Sequence, residues 1–348
     1  VPYASHPRRP KKTFGELRII DRIQTRAQAN SRTAALRLGI GDDCAILTPP
    51  PHHELLVTTD FSLEGRHFRR DWHTPASIGH RTLARGLSDL AAMGAKPLAA
   101  FLSLAMPPSI ARNPRWLDGF LDGFLPLAAA HHVPLAGGDT AQSPDDHILA
   151  DITLLGSAPT ARALRRSTAQ PGDLLYITGA LGGAATELST LPKHSPPSTP
   201  PPPSTVYSLL SISPHLFPQP RLAVGQALLR RRLATACIDT SDGLSTDLAH
   251  LCSASHVSAE LDLAQLPLHP LAAQLDDRAQ ITALLHGGED YELLFTAAPT
   301  TRVPRSIANI PITPIGRILK PRKNRPQISI RTGIDRFELL PQGWEHFA

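Results

Sequence analysis

The chain has 348 residues, 41% of them hydrophobic, a formal net charge of +5 and only 5% aromatic residues. Such a length supports two domains with real cores. The basic excess sits near the ends, in HPRRPKK and in ILKPRKNRP, and no Arg/Lys groove interleaves with stacking residues, which argues against a nucleic-acid partner.

From the N-terminus, a basic arm over residues 1–14 precedes FGELRIIDRIQTRA, whose apolar spacing predicts a helix. Charges throughout this segment leave no apolar core for a signal peptide, and Asp89 and Lys96 break the longest apolar run, so no membrane span is expected. AILTPP and ELLVTTD read as strands, and ASIGHRTLARGLSDLAAMGAKP as a helix interrupted near Gly94 and Pro97. Strand LAAFLSLAMP, helix PRWLDGFLDGFLPLAAAHH, a short strand entering AGGDT and strand HILADITLLGSA complete an N-terminal domain over residues 15–160.

A C-terminal domain over 161–348 restarts with turn, strand, glycine turn and helix in RSTAQPGDLLYITGALGGAATEL. The Pro- and Ser-rich stretch that follows, an insertion at about 192–216 running on toward Pro220, is expected to be a disordered, peripheral surface segment. Helix RLAVGQALLRRRL, the strand, loop and helix of ATACIDTSDGLSTDLAHLCSAS, strand SAELDL and the polar loop and strand of HGGEDYELLFTAAP come next. Strands and helices alternate in both halves, so the class is α/β or α+β. Three cysteines, Cys44, Cys237 and Cys252, without a CxxC pair argue against a disulfide framework or a structural zinc site and suggest a reducing, cytoplasmic setting.

Five stretches share one arrangement, in which an apolar run ends in small residues with carboxylates at the turn: GIGDD, VTTD, GGDT, IDTSDG and GGEDYE. LSDLAAMG places a further carboxylate within a helix. Each alone is explained by a cap or an ordinary turn. Together, carboxylates and Ser/Thr oxygens without His or Cys at metal spacing suit a hard cation such as magnesium, and several such ions suit a polyphosphate such as ATP. No GxxxxGK[ST] occurs, and the glycines of YITGALGG lack the acidic partner of a dinucleotide fold. That glycine turn either faces a phosphate or simply joins strand to helix.

In this order the motifs FGELRII, GIGDDCAIL, TTDFSLEGRHF, LSDLAAMGAKPLAAFLSLAMP, AGGDT, RSTAQPGDLLYITG, FPQPRLAVGQAL, ACIDTSDGLSTDL, GGEDYELLFT, PIGRI and GWEHF resemble the thiamine-monophosphate kinase family. This family lies within the ATP-binding superfamily of aminoimidazole ribonucleotide synthetase and selenophosphate synthetase. The resemblance implies a two-domain aminoimidazole-ribonucleotide-synthetase-like α/β fold whose N-terminal domain forms an intersubunit sheet or barrel in a homodimer. It also implies transfer of the ATP γ-phosphoryl group to thiamine monophosphate without a phosphoenzyme and without a side-chain general base.

Carried over by motif, Asp42, Thr58, Thr59, Asp60, Asp89, Asp139, Asp239 and Asp242 would hold several magnesium ions. Gly138, Asp139, Arg166 and Ser241 would contact ATP, and His67, Glu289 and Trp344 thiamine monophosphate. Two departures stand out: Thr168 where the family commonly has glycine, and the long cation Arg66 where a small or apolar residue is common. Two other readings stay open, another ATP-dependent synthetase of the superfamily and a non-catalytic basic binding protein.

Overall fold

The computed structural model describes residues 16–27, 33–191, 213–323 and 327–345; the basic arm and residues 192–212 of the Pro-rich stretch lie outside them. The first half runs α1 (Glu16–Ala27), β1 (Leu36–Leu38), β2 (Ile46–Leu47), β3 (His53–Leu63), α2 (Pro75–Ala92), β4 (Lys96–Met106), α3 (Pro108–Ala111), α4 (Pro114–Ala130), β5 (Leu135–Gln142) and β6 (Leu149–Pro159). Four of these strands form a sheet in the order β3-β6-β4-β5, with β3 and β5 as its edges. AILTPP contributes only the two residues of β2, which pair with β1 alone, so that prediction was too long.

Helix α2 lies under this sheet. The Thr74 hydroxyl caps it by accepting the Ser77 N–H at 3.1 Å, and Pro75 occupies its first turn, where no N–H is needed. Its small residues let it approach α4 closely: a Cβ on Gly79 would stand 2.0 Å from the Phe120 carbonyl oxygen, and one on Gly123 1.8 Å from that of Ala76. The helix is therefore buried along nearly its whole length. A polar residue on it must find a partner there or face a cavity.

The second half runs β7 (Leu174–Thr178), α5 (Gly183–Thr190), α6 (Leu222–Arg230), β8 (Ala236–Asp239), α7 (Leu244–Ser255), β9 (Ser258–Asp262), α8 (Asp277–His286), β10 (Leu293–Ala297), β11 (Ser306–Ile307), β12 (Ile310–Leu319), β13 (Ile328–Thr332) and β14 (Asp335–Glu338). Its sheet has the order β14-β13-β9-β12-β7-β10-β8, with β11 beside β12. Only β13 and β9 pair in parallel; the other pairs are antiparallel. β10 reads LLFTA because both its faces are covered. Leu293, Phe295 and Ala297 join the core shared with α2 and α6, while Leu294 turns to the core under α7. The larger core thus runs across both halves.

The Pro-rich stretch is not peripheral up to its end. His215, Leu216 and Phe217 are 1%, 1% and 2% exposed, with Leu216 and Phe217 packed beside Leu191 and Trp72. The Glu187 carboxylate of α5 accepts hydrogen bonds from the Ser213 hydroxyl and from the His215 N–H, the latter at 2.6 Å. Pro and Ser enrichment hid a short apolar anchor, HLF, that a composition window averages away. Among the described residues no helix is long and apolar enough to cross a membrane.

Candidate active site

Arg81, Arg85, Ser88 and Asp89 recur three and four residues apart on α2 and so share one face, which looks toward β3, β8 and the GGEDYE loop. The Arg85 guanidinium grips Asp60 of β3 through Nε to Oδ2 at 2.9 Å and Nη2 to Oδ1 at 2.7 Å. Thr58, two residues earlier on the same strand face, donates its hydroxyl to Asp89. Ser88 donates to Asp239 Oδ2 at 2.6 Å, at the end of β8. One helix thereby gathers carboxylates from both halves of the chain.

The loop after β8 is held by its own helix. Asp247 in the first turn of α7 accepts the N–H groups of Asp242 and Gly243 at 3.1 and 3.0 Å. Gly243 has φ +109, and a Cβ there would stand 2.8 Å from the His286 carbonyl oxygen, so this turn requires glycine. The GGEDYE loop is tied to it by Glu289 N–H to the Ser241 carbonyl at 2.8 Å and Tyr291 N–H to the Thr240 carbonyl at 3.0 Å. The C-terminal segment adds Trp344 N–H to the Asp242 carbonyl at 3.0 Å.

These elements enclose a cavity of about 1220 Å³. Thr59, Asp60, Asp89, Asp239, Ser241 and Asp242 line it, as do His67, Glu289 and Trp344. Nine residues predicted from five separate motifs thus face one space. Arg66, the departure from the family pattern, also opens onto it.

The charges are unevenly compensated. Burial opposes ionisation of Glu289, but Arg81, His215 and Arg85 outweigh it and hold this carboxyl well below the ordinary range. Asp89 and Asp239 receive hydroxyl hydrogen bonds instead. Burial, then the charges of Asp239 and Asp60, pushes the Asp89 carboxyl up to about 7. Burial likewise raises Asp239. Asp247 is pushed up to about 8 by burial and by Asp239 and Asp242. Clustered oxygen donors whose mutual repulsion the protein leaves standing are the donor set a hard divalent cation relieves.

Five predicted residues do not line this cavity: Thr58, whose hydroxyl is turned to Asp89 beside it, and Asp42, Gly138, Asp139 and Arg166. Arg166 is exposed, yet its charge acts on both Asp89 and Asp239. The Thr168 hydroxyl donates to the Thr235 carbonyl at 2.6 Å, fastening this turn to the start of β8 without glycine. Asp42 and Asp139 lie elsewhere. Asp60, Ile152, Leu102 and Gly138 stand in one row across the four-stranded sheet, and Phe61, Asp151, Ser103 and Asp139 in the next. Asp60 and Asp139 are therefore on opposite edges, three strand spacings or about 14 Å apart, in rows that face opposite ways. Gly39 packs near Ala136, which puts the Gly-Asp-Asp loop beside the β5 edge as well.

The glycine turn of YITGALGG resolves to a strand-to-helix turn. Asp290 accepts the N–H groups of Gly182 and Ala184 at 2.7 and 3.0 Å, so the donors at the α5 N-terminus are already taken.

Residues 41–158 match the family described as AIR synthase related protein, N-terminal domain. The chain is 37% identical over 339 residues to the thiamine-monophosphate kinase of Escherichia coli (strain K12), covering 96% of this chain and 98% of that one. It belongs to the thiamine-monophosphate kinase family. The crystal structure of thiamine-monophosphate kinase from Stenotrophomonas maltophilia K279a superposes with a TM-score of 0.76 at 35% identity, covering 91% of this chain and 96% of that one. AaThiL complexed with AMPPCP and TMP superposes with a TM-score of 0.72 at 27% identity, covering 98% and 100%.

Several residues in and around this cavity carry no motif that the sequence reading could use. Arg81 and Arg85 precede Asp89 by eight and four residues in an otherwise apolar, small-residue helix, a spacing that marks one charged face in a buried element. His73 and His215 carried no comparable signal, because their meeting depends on a contact across 142 positions.

Proposed function

We propose that this chain transfers the γ-phosphoryl group of ATP to thiamine monophosphate, giving thiamine diphosphate and ADP. The observation that carries this reading is the convergence of Asp60, Asp89, Asp239 and Asp242 on one cavity wall, where Arg85 grips Asp60. The kinship to thiamine-monophosphate kinases over nearly the whole chain, and the AMPPCP and TMP bound by AaThiL, support the choice of donor and acceptor.

Asp60, Asp89, Asp239 and Asp242, with the Thr58 and Thr59 hydroxyls, would hold magnesium. Bound magnesium supplies neutralisation of the charge that two phosphorylated reactants bring together. Gly138, Asp139, Arg166 and Ser241 would contact ATP, and His67, Glu289 and Trp344 the acceptor. The acceptor phosphate oxygen is already a nucleophile at neutral pH, so the chain contributes alignment and exclusion of water, and no side chain removes a proton.

The working unit we propose is a homodimer. Leu55, Val57 and Phe61 turn outward from edge strand β3, with Phe61 60% and Val57 63% exposed. Pairing this face with a second copy would cover it, and would bring the Asp42 and Asp139 edge of one copy toward the Asp60 edge of the other. The unpaired state of Cys44, Cys237 and Cys252 supports a cytoplasmic location. Incubation with magnesium, ATP and either thiamine monophosphate, thiamine or an aminoimidazole precursor, read by product mass, tests the reaction. Thiamine diphosphate formed from the monophosphate is the expected product; its absence overturns the assignment.

A further inference from the structure

At the acceptor end of the cavity the wall holds a hydrogen-bonded chain of His73 and His215, neither in a family motif, that leads to Glu289. His73 and His215 are 3% and 1% exposed, and their Nε2 atoms are 3.0 Å apart. His73 Nδ1 lies 3.2 Å from the Arg69 N–H nitrogen and 3.1 Å from the Arg69 carbonyl oxygen. At the other end, His215 Nδ1 is 3.0 Å from Glu289 Oε2. Arg81 Nη2 donates to Glu289 Oε1 at 2.6 Å and to the His67 carbonyl at 3.2 Å, while Nη1 donates to the His215 carbonyl and lies 3.2 Å from His215 Nδ1.

The carboxylate end fixes one assignment of protons. Glu289, already paired with Arg81, can only accept, so a neutral His215 carries its proton on Nδ1 and donates it to the carboxylate. Its Nε2 then accepts from His73 Nε2–H, which leaves His73 Nδ1 to accept the Arg69 N–H, and Arg81 Nη1 donates to the His215 carbonyl and not to Nδ1. Both rings are neutral, in keeping with burial, which lowers His73 to about 3 and also lowers His215. Glu289 itself has φ +68, a left-handed conformation that a non-glycine residue holds only when its surroundings fix it.

We infer that His215 is a positioning residue for the acceptor site: its Nδ1–H, oriented by His73, fixes the Glu289 carboxylate at the cavity wall. The segment just after the Pro-rich stretch delivers this imidazole, and the Glu187 contacts at Ser213 and His215 hold the segment in place. This inference rests on the proposed kinase reading for its effect on turnover, but not for the proton arrangement.

The test compares His215→Leu, which fills space without a donor, with His215→Asn, whose side-chain amide reaches the position of Nδ1. Losing a hydrogen bond to a charged group is expected to lower kcat/KM for thiamine monophosphate roughly 10- to 100-fold in His215→Leu, while His215→Asn stays within about threefold of wild type. The KM for ATP should be unchanged in both. Equal impairment of the two variants at unchanged melting temperature, or a His215→Leu enzyme with wild-type kcat/KM, overturns the inference. If His215→Leu does not fold, ¹⁵N NMR of the wild-type imidazoles decides: the expected signature at neutral pH is a proton on Nδ1 of His215 and on Nε2 of His73. A His215 proton on Nε2, or an imidazolium there, refutes it. A wild-type enzyme that makes no thiamine diphosphate while showing the expected tautomers refutes the kinase reading instead.

Discussion

Replacing Asp89 by Asn should stabilise the metal-free protein while removing its turnover. In the folded chain the Asp89 carboxyl is pushed up to about 7 from 3.8, chiefly by burial and then by Asp239 and Asp60. Below the unfolded value both states are protonated and nothing is lost. Between about 4 and about 7 the unfolded chain releases the proton and the folded chain keeps it, so stability falls as pH rises; above that interval the penalty is constant. At about 1.4 kcal/mol per tenfold in proton affinity, the penalty reaches at most about 4 kcal/mol, of which water penetration and relaxation leave about 1–3 kcal/mol to be measured. Asn removes the charge and still accepts the Thr58 hydroxyl hydrogen bond. Urea unfolding in EDTA should therefore show Asp89→Asn more stable than wild type at pH 8 and the two equal near pH 4. Magnesium with an ATP analogue should raise the wild-type midpoint and leave that of the variant nearly unchanged. A variant no more stable than wild type at pH 8 in EDTA, or one with wild-type turnover, refutes the reasoning.

Arg85→Met leaves the half-buried Asp60 without its two-pronged partner, and should cost about 1–3 kcal/mol of stability in urea unfolding together with most of the turnover. Leu216→Ala should lower stability by about 2–4 kcal/mol, because this side chain is 1% exposed; a loss below about 0.5 kcal/mol would return the segment to the surface. Phe61→Asp puts a charge on the outward apolar face of β3 and should shift sedimentation from a dimer to a monomer, with turnover falling in parallel. An unchanged sedimentation coefficient would remove that face from the subunit contact.

The elements that the sequence displays best are those with one strong local cause. α2 and α4 announce themselves by Pro at the first turn after a capping Thr or Asn, and by apolar residues at helical spacing. β3 shows its alternation directly, with Thr58 and Asp60 on the face toward α2 and Val57 and Phe61 away from it. α8 is harder to see, because its buried residues are confined to Ala283, Leu284 and Leu285 at one end, while Ile281 is exposed among mostly polar neighbours. HLF failed for the opposite reason, since three apolar residues framed by prolines are too few for any periodicity yet enough for an anchor.

The site shows the same division between local and non-local causes. Carboxylates that close apolar runs are a local signal, and Asp60, Asp89, Asp239 and Asp242 do converge on one cavity, although Asp60 lies inside β3 and Asp89 inside α2, and only Asp239 ends a strand. What a linear pattern cannot express is which of two sheet edges a carboxylate occupies. GGDT and VTTD look alike as motifs, but the register places Asp139 on β5 and Asp60 on β3 with two strands between them. An aspartate reaches only a few ångströms from its Cα, so about 14 Å of sheet keeps the two from sharing an ion within one chain. A site that needs both motifs must therefore be assembled from two copies. In the homodimer proposed above, the outward apolar residues of β3 would set the distance between carboxylates that each chain alone holds apart.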